Sequence, residues 1–390
     1  MFQARPQIME ILSDMYAFRR TAHQNPQTAF EETFISGEIC KTLDEWDIPY
    51  ERGIGQTGVV ATIENGDGPT VGLRADIDAL NIQEAFGVDW ISETIGKMHA
   101  CGHDGHTAIV LTALYALHKG RNFKGTVKGI FQPGEEAAEG AQRMIDDGML
   151  ERHPMDFIYG LHNWPALPEG EIAVHTKGVM ACSDYYRIRV RGIGGHAATP
   201  HRANNVIKAL PDVLKAIARL SDDEAVVETT VLDFGTRPSP NVIKNRGIIK
   251  GTVRTFSDEK RTSIQRALEA EIPEILKPLH LKAKIRYDRV INPTINHPDE
   301  ALICRDIAEN VLGPENVHWD FPPEKTADDF GVFLEHIPGA YIWVGQSKGE
   351  GHPSHYGLHN QHYDFNDDII PIGAEFLVSL VERKLGLDIG

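Results

Sequence analysis

CGHDGHTAIVLTALYALHKG (101–120) carries apolar residues at Ala108, Ile109, Leu111, Leu114 and Leu117 and stops at Gly120. That spacing and that terminator predict a helix. TVGLRADID (70–78) precedes it and TVKGIFQ (126–132) follows it. Both are short β-rich runs of buried-strand type, and FIYGLHN (157–163) is a third. Further upstream, TGVVATIEN (57–65) reads as a strand, and 7–23 and 33–45 as helices. Strands alternating with helices in this way imply an α/β layer fold with a mostly parallel sheet.

The pattern changes near residue 182. YYRIRVRG (185–192) alternates like a half-exposed antiparallel strand. A helix over 203–219, strands at 225–233 and 246–255, a helix over 258–276 and a strand at 281–288 are predicted next. This β-α-β-β-α-β run has a ferredoxin-like α+β order. Beyond 292 the first pattern returns, with a helix over 299–312, AYIWVG (340–345) as a strand and a closing helix over 371–385. A chain of 390 residues also exceeds the roughly 250–300 at which single cores stop growing. The expectation is a discontinuous α/β domain, 1–182 and 293–390, with a smaller domain, 183–292, inserted into it.

The 39 Lys and Arg against 56 Asp and Glu leave a formal net charge of −17. That balance argues against nucleic acid, whose binding rests on clustered Lys and Arg displacing counterions, and against anionic membrane surfaces. No apolar stretch reaches the roughly 18 residues of a membrane helix. MFQARPQIMEILSDMYAFRR (1–20) has charges every few residues, unlike the apolar core of a signal peptide. Cys40, Cys101, Cys182 and Cys304 are widely spaced and form neither a disulfide framework nor a CxxC zinc pattern. A cytoplasmic protein is expected.

Chemistry concentrates in four segments. MHACGHDGHT (98–107) sets Cys101 and His103 just ahead of the helix, where a thiolate and an imidazole can turn toward one metal centre. Asp104 is positioned to hold the free nitrogen of an imidazole. FQPGEEAAEGA (131–141) sets Glu135 and Glu136 after a strand and a Pro-Gly turn. Adjacent carboxylates repel, and a nearby cation removes the conflict: one ligates while the other stays free as a base. Taken alone, such a pair is a solvated helix start. GLHN (160–163) offers His162, which alone would be an ordinary core histidine. HPSHYGLHNQHYDFND (352–367) carries His352, His355, His359 and His362. Ligands in open α/β sheets bind outside the carboxyl ends of strands, and these segments sit at such places.

RADIDALN (74–81), MHACGHDGHT (98–107), QPGEE (132–136), GLH (160–162), GIGGHAATPH (192–201) and LHNQHYDFND (358–367) resemble the motifs of the aminoacylase and carboxypeptidase superfamily of dimetal hydrolases. The hippurate hydrolase and indole-acetyl-amino-acid hydrolase branch is the nearest, and the match runs from about residue 20 to 385. The resemblance implies a metallohydrolase domain with an inserted lid and dimerisation domain. It makes Cys101 a bridge between two metals, with Glu136 and His359 completing one and His103 and His162 the other. Glu135 becomes the general base and acid. His196 would reach across a homodimer to steady the oxyanion. Asn241 in SPNVI and Arg254 in GTVRTF would face the substrate carboxylate. The implied cofactor is two divalent ions per subunit, and mixed Cys, His and carboxylate ligands suit Zn, Mn, Co or Ni. The implied substrate is a small N-acyl amino acid (hippurate-like, N-acetyl or aryl-acetyl), hydrolysed to a carboxylic acid and a free amino acid. Asn81, Ile193, Lys244 and Gln361 depart from the family pattern, and none of them removes a ligand.

Two other matches have bland readings. GIGQTG (53–58) fits GxGxxG, yet a strand follows it where a dinucleotide site needs a helix. GQSKG (345–349) fits GxSxG and makes Ser347 the nucleophile of an alternative, metal-independent amidase, but no helical pattern follows. A non-catalytic metal- or ligand-binding homologue is the remaining alternative, and the presence of Glu135 speaks against it.

Overall fold

Buried Val71, Leu73 and Ala75 alternate along one strand with Gly72 and Arg74, which are also buried. A strand covered on both faces belongs in the middle of a sheet with layers on each side. The computed structural model describes residues 2–85, 87–235, 239–319 and 321–386. In chain order its longer helices are α1 (Pro6–Gln24), α2 (Thr33–Glu45), α3 (His103–Gly120), α4 (Leu210–Ala218), α5 (Asp258–Leu276), α6 (Pro298–Leu312) and α7 (Ile370–Leu385). The strands of its two main sheets are β1 (Tyr50–Ile54), β2 (Gly58–Asn65), β3 (Thr70–Asp76), β4 (Gly125–Gln132), β5 (Phe157–Pro168), β6 (Ile172–Val174), β7 (Ser183–Arg191), β8 (Ala225–Asp233), β9 (Arg246–Thr255), β10 (Lys282–Ile291), β11 (Val317–Trp319) and β12 (Gly339–Ser347). Among the described residues no helix is long and apolar enough to cross a membrane.

The chain divides into two compact units, Met1–Lys177 with Ile295–Pro322 and Asp328–Gly390, and Gly178–Thr294 with Pro323–Ala327. The first unit holds an eight-stranded sheet in the order β1-β2-β4-β3-β5-β12-β6-β11. Its inner pairs β4·β3, β3·β5 and β5·β12 are parallel, as is β6·β11, while β1·β2, β2·β4 and β12·β6 are antiparallel. The α/β architecture with a largely parallel sheet is therefore as the sequence predicts. Helix α3 packs among α1, α7 and β3. It is buried on all sides from His103 to Leu117, which is why its apolar residues exceed one stripe. The GIGQTG segment is the turn of the β1–β2 hairpin, so it cradles no nucleotide.

The second unit is a four-stranded antiparallel sheet in the order β8-β9-β7-β10, with α4 and α5 on one face. Ile188, Val190, Ile249 and Val253 meet Val213, Ile264 and Leu268 there. This strand order with a β-α-β-β-α-β chain path is ferredoxin-like. The helix expected over 203–219 is shorter. Two 3₁₀ turns, Pro200–Arg202 and Val206–Ala209, precede α4, which starts only at Leu210. The Asn205 side chain caps Ile207 N–H and closes the second turn, and Pro211 has no N–H to carry a helix back into it.

Candidate metal centre

Strand β4 ends at Gln132 and Pro133–Gly134 turns the chain. Gly134 has φ +64°, and a Cβ there would stand 2.5 Å from the Phe30 ring. Its N–H donates to Glu32 Oε1 at 2.9 Å. The next two N–H groups, of Glu135 and Glu136, donate to Asp78 Oδ1 and Oδ2 at 3.1 and 3.0 Å. The glutamate pair thus sits on a clamped turn and does not start a helix. Asp78, just past the carboxyl end of β3, does the clamping.

Helix α3 opens at His103 itself, so His103 is its first residue and only Cys101 lies ahead of it. The hinge is Gly102, at φ +91°, where a Cβ would meet Asn163 Oδ1 at 2.3 Å and Tyr363 Oη at 2.5 Å. His103 Nδ1 donates to Asp78 O at 2.9 Å, and Nε2 is buried with no hydrogen-bond partner. His162 Nδ1 donates to Asn163 O at 2.8 Å, and its Nε2 stands 3.5 Å from Cys101 Sγ. His359 adopts φ +64°, is held by its N–H to Ala100 O at 2.8 Å, and brings Nε2 to 3.2 Å from Glu136 Oε1. In His103 and His162 a main-chain carbonyl takes Nδ1 and leaves Nε2 to face the cluster.

Four groups of donor atoms converge, each within 4.8 Å: Cys101, Glu136 and His359; His103, Glu135 and Glu136; Asp76, His103, His106 and His162; and Glu135, Asp328 and Asp329. Cys101, His103, Glu135, Glu136, His162 and His359 are therefore brought together from four distant segments. His106 joins them but has both nitrogens engaged, Nδ1 2.6 Å from Asp76 Oδ1 and Nε2 2.7 Å from Asn163 Oδ1. Asp76, Asp78, His106, Asp328 and Asp329 escaped the sequence reading. RADID and MHACGHDGHT stand out as motifs, but nothing in them says which side chain turns inward. The role foreseen for Asp104 is overturned: its carboxylate lies 2.8 Å from His23 Nδ1 and 3.1 Å from Arg19 Nε, so it holds no imidazole of the cluster.

The cluster is short of positive charge. Burial, and then Glu136 and Glu135, push the Cys101 thiol well above its usual range. Burial, and then Asp328 and Glu136, do the same to the Glu135 carboxyl. Burial would lower His103, yet Asp76 and Asp78 outweigh it and raise the imidazole to about 10. Burial and His106 keep His162 neutral. A proton on His103 answers the same demand that a cation would answer. The orphaned His103 Nε2 and the crowded thiol and carboxylates are donors that fit a divalent metal.

The profile of peptidase family M20/M25/M40 matches residues 72–383. The chain belongs to that family. This M20 chain is 30% identical over 385 residues to hippurate hydrolase of Campylobacter jejuni, covering 97% of this chain and 99% of that one. It is 31% identical over 385 residues to IAA-amino acid hydrolase ILR1-like 4 of Arabidopsis thaliana, covering 95% and 86%. These relatives bear out the branch that the motifs resemble. Its fold is similar to that of Bacillus subtilis YXEP protein, a dinuclear metal binding peptidase, with TM-score 0.85, 30% identity and 97% and 99% of the chains covered.

The remaining expected residues lie in the second unit. His196 is exposed in a two-residue strand, Gly195–His196, paired with Val242–Ile243. Its Nδ1 accepts from Ala198 N–H at 3.1 Å, which leaves the ring proton on Nε2. Asn241 O accepts from Ala197 N–H at 2.9 Å. Arg254, on β9, donates to Val253 O at 3.1 Å and to Thr252 Oγ1. In the first unit, Ser347 Oγ lies 2.7 Å from His355 Nδ1. Among the described residues no helix opens directly after Ser347, and no carboxylate bonds His355.

Proposed function

We propose that the protein is a metal-dependent amidohydrolase that cleaves N-acyl amino acids, of the hippurate-like, N-acetyl or aryl-acetyl kind, into a carboxylic acid and a free amino acid. The observation that carries this reading is the convergence of Cys101, His103, Glu136, His162 and His359 around an orphaned imidazole nitrogen, with Glu135 beside them. Cys101 would bridge two divalent ions, Glu136 and His359 completing one and His103 and His162 the other. Divalent ions held by these residues would supply Lewis-acid activation of the attacking water.

Glu135 takes a proton from that water and returns it to the leaving nitrogen, a task suited to a carboxyl whose pKa burial has raised. His196, with its proton on Nε2, donates to the oxyanion, and Asn241 and Arg254 bind the substrate carboxylate. The second unit is read as lid and dimer surface. Its edge strand β8 exposes Val231 and Leu232, and a cavity of about 540 Å³ is lined by Leu232 with Leu214, Ile217 and Val227. The similarity to a hippurate hydrolase and to an IAA-amino acid hydrolase supports the substrate class.

The test is a hydrolysis panel of these conjugates on metal-stripped protein reloaded with Zn, Mn, Co or Ni one at a time. Restored acid release supports the reading. No release from fully metallated protein would favour a binding homologue. The Ser347–His355 pair favours a second reading, a serine amidase, and full activity in EDTA would select it.

A further inference from the structure

Strand β7 turns Tyr186, Ile188 and Val190 into the core of the second unit and Arg187, Arg189 and Arg191 to the opposite face. Directly opposite those three arginines, β9 sets Lys250, Ile248 and Arg246, and β10 sets Arg286, Lys284 and Lys282. Paired residues on neighbouring strands share a face, so eight cationic side chains crowd one side of this sheet. Among the described residues only Arg286 makes an ion pair, with Asp288. Like charges set opposite each other are destabilising. In a chain of net charge −17, composition does not explain the cluster.

The face also has depth. A cavity of about 290 Å³ is lined by Arg187, Arg189, Arg191, Arg246, Asp233 and Ile248. Arg187 Nε is shut off from solvent there and has no acceptor. The single carboxylate of the lining, Asp233, already accepts from Gly235 N–H at 2.8 Å. The basic ground is bounded, because on β8 exposed Val231, directly opposite Lys250, takes its place. A long polyanion would need a track of charge, whereas a pocket of this size suits a small molecule. Arginine offers planar forks that grip phosphate or carboxylate groups two bonds at a time. Strand geometry spaces these forks about 7 Å apart along β7 and about 5 Å between strands.

We propose that this face binds a small polyanion bearing two or more phosphate or carboxylate groups, held by Arg187, Arg189, Arg191 and Arg246. None of the four belongs to the metal centre, and the site stands whether or not the amidohydrolase reading holds. The full-length, metal-loaded protein would be titrated calorimetrically with tripolyphosphate and, separately, with citrate, alongside an Arg189→Ser–Arg191→Ser double variant. Both probes also chelate divalent ions, and because the metal centre is the same in both proteins, the difference between them isolates the basic face. Saturable binding that weakens about tenfold or more in the variant is expected, since charged hydrogen bonds are lost. Tighter tripolyphosphate binding would indicate a phosphate ligand, and tighter citrate binding a carboxylate one. Equal behaviour of wild type and variant toward both probes overturns the proposal. Binding confined to single-stranded DNA or polyglutamate overturns it too, and would mark a macromolecular surface. The double variant relieves like-charge repulsion and should melt no lower than wild type; should it fail to fold, Arg191→Ser alone, at the exposed end of β7, carries the comparison.

Discussion

Glu135 lies buried among Asp328, Glu136 and Asp78, with no lysine or arginine bonded to its carboxylate among the described residues. A carboxylate in that position is poised to exchange a proton. Glu135→Gln is expected to retain both metals while kcat falls by ~10²–10⁴, the range of general acid–base catalysis. Metal analysis and steady-state kinetics would check this, and near-normal turnover would remove Glu135 from the proton path. Cys101 offers a second test. Its thiol is disfavoured as an anion until a cation arrives, so the metal should protect it. Iodoacetamide should label Cys101 only after chelation, and then only at alkaline pH where the raised thiol ionises, with mass mapping as the readout. Cys101→Ser should lose metal at one or both sites, and full metal content with full activity would leave Cys101 a purely structural role.

At the scale of elements, the site depends on how α1, α3 and the strand ends lock together. A methyl at Gly102 meets Asn163 and Tyr363 and sits on a backbone angle that side chains rarely adopt. Gly102→Ala should cost about 1–3 kcal/mol or more through strain, and should shift Cys101 relative to His103. A lowered Tm together with weaker metal retention would show it; an unchanged protein would mean that the loop adapts. Helices α1 and α3 are joined by His23, whose Nδ1 faces Asp104 and whose Nε2 faces Glu84 at 3.2 Å. Burial opposes its charge, yet its bonds to Asp104 and Glu84 prevail and raise it to about 9. Because the folded pKa is raised, this contribution is complete below about 6.5, the unfolded value, and is lost as pH rises through about 9. Tm should therefore decline across that window, and His23→Gln should flatten the decline. A variant that follows wild type throughout would rule the pair out as the cause.

The whole molecule raises the question of what the second unit does. It carries His196, Asn241 and Arg254 but no donor of the four converging metal-type groups. If His196 serves the site of a partner subunit, His196→Ala should lower kcat by ~10²–10³, as loss of an oxyanion donor does. Mixing it with Glu135→Gln should then restore part of the activity, since a hybrid dimer has one site lacking both groups and one site intact. Absence of recovery despite demonstrated subunit exchange would leave His196 acting within its own chain or not at all.

Period and punctuation were enough to read the layers: a two-residue alternation in YYRIRVRG, a helix ending at Gly120, and short apolar runs between them. The α/β class, the ferredoxin-like strand order and the segments whose donors converge all follow from such local signals. CGH, GEE, GLH and LHNQH announce themselves because metal-type side chains are scarce and rarely cluster by chance. Strands as short as Ile172–Val174 and Val317–Trp319 hold too few residues to show a period and went unread. Asp78 clamping a turn 57 residues away, and Asp104 spent on His23, depend on partners that local pattern does not name. The arginines of β7 alternate in plain view. That Arg246, Lys250, Lys282 and Lys284 stand beside them was decided by strand register alone, since a slip of one residue would send each to the other face.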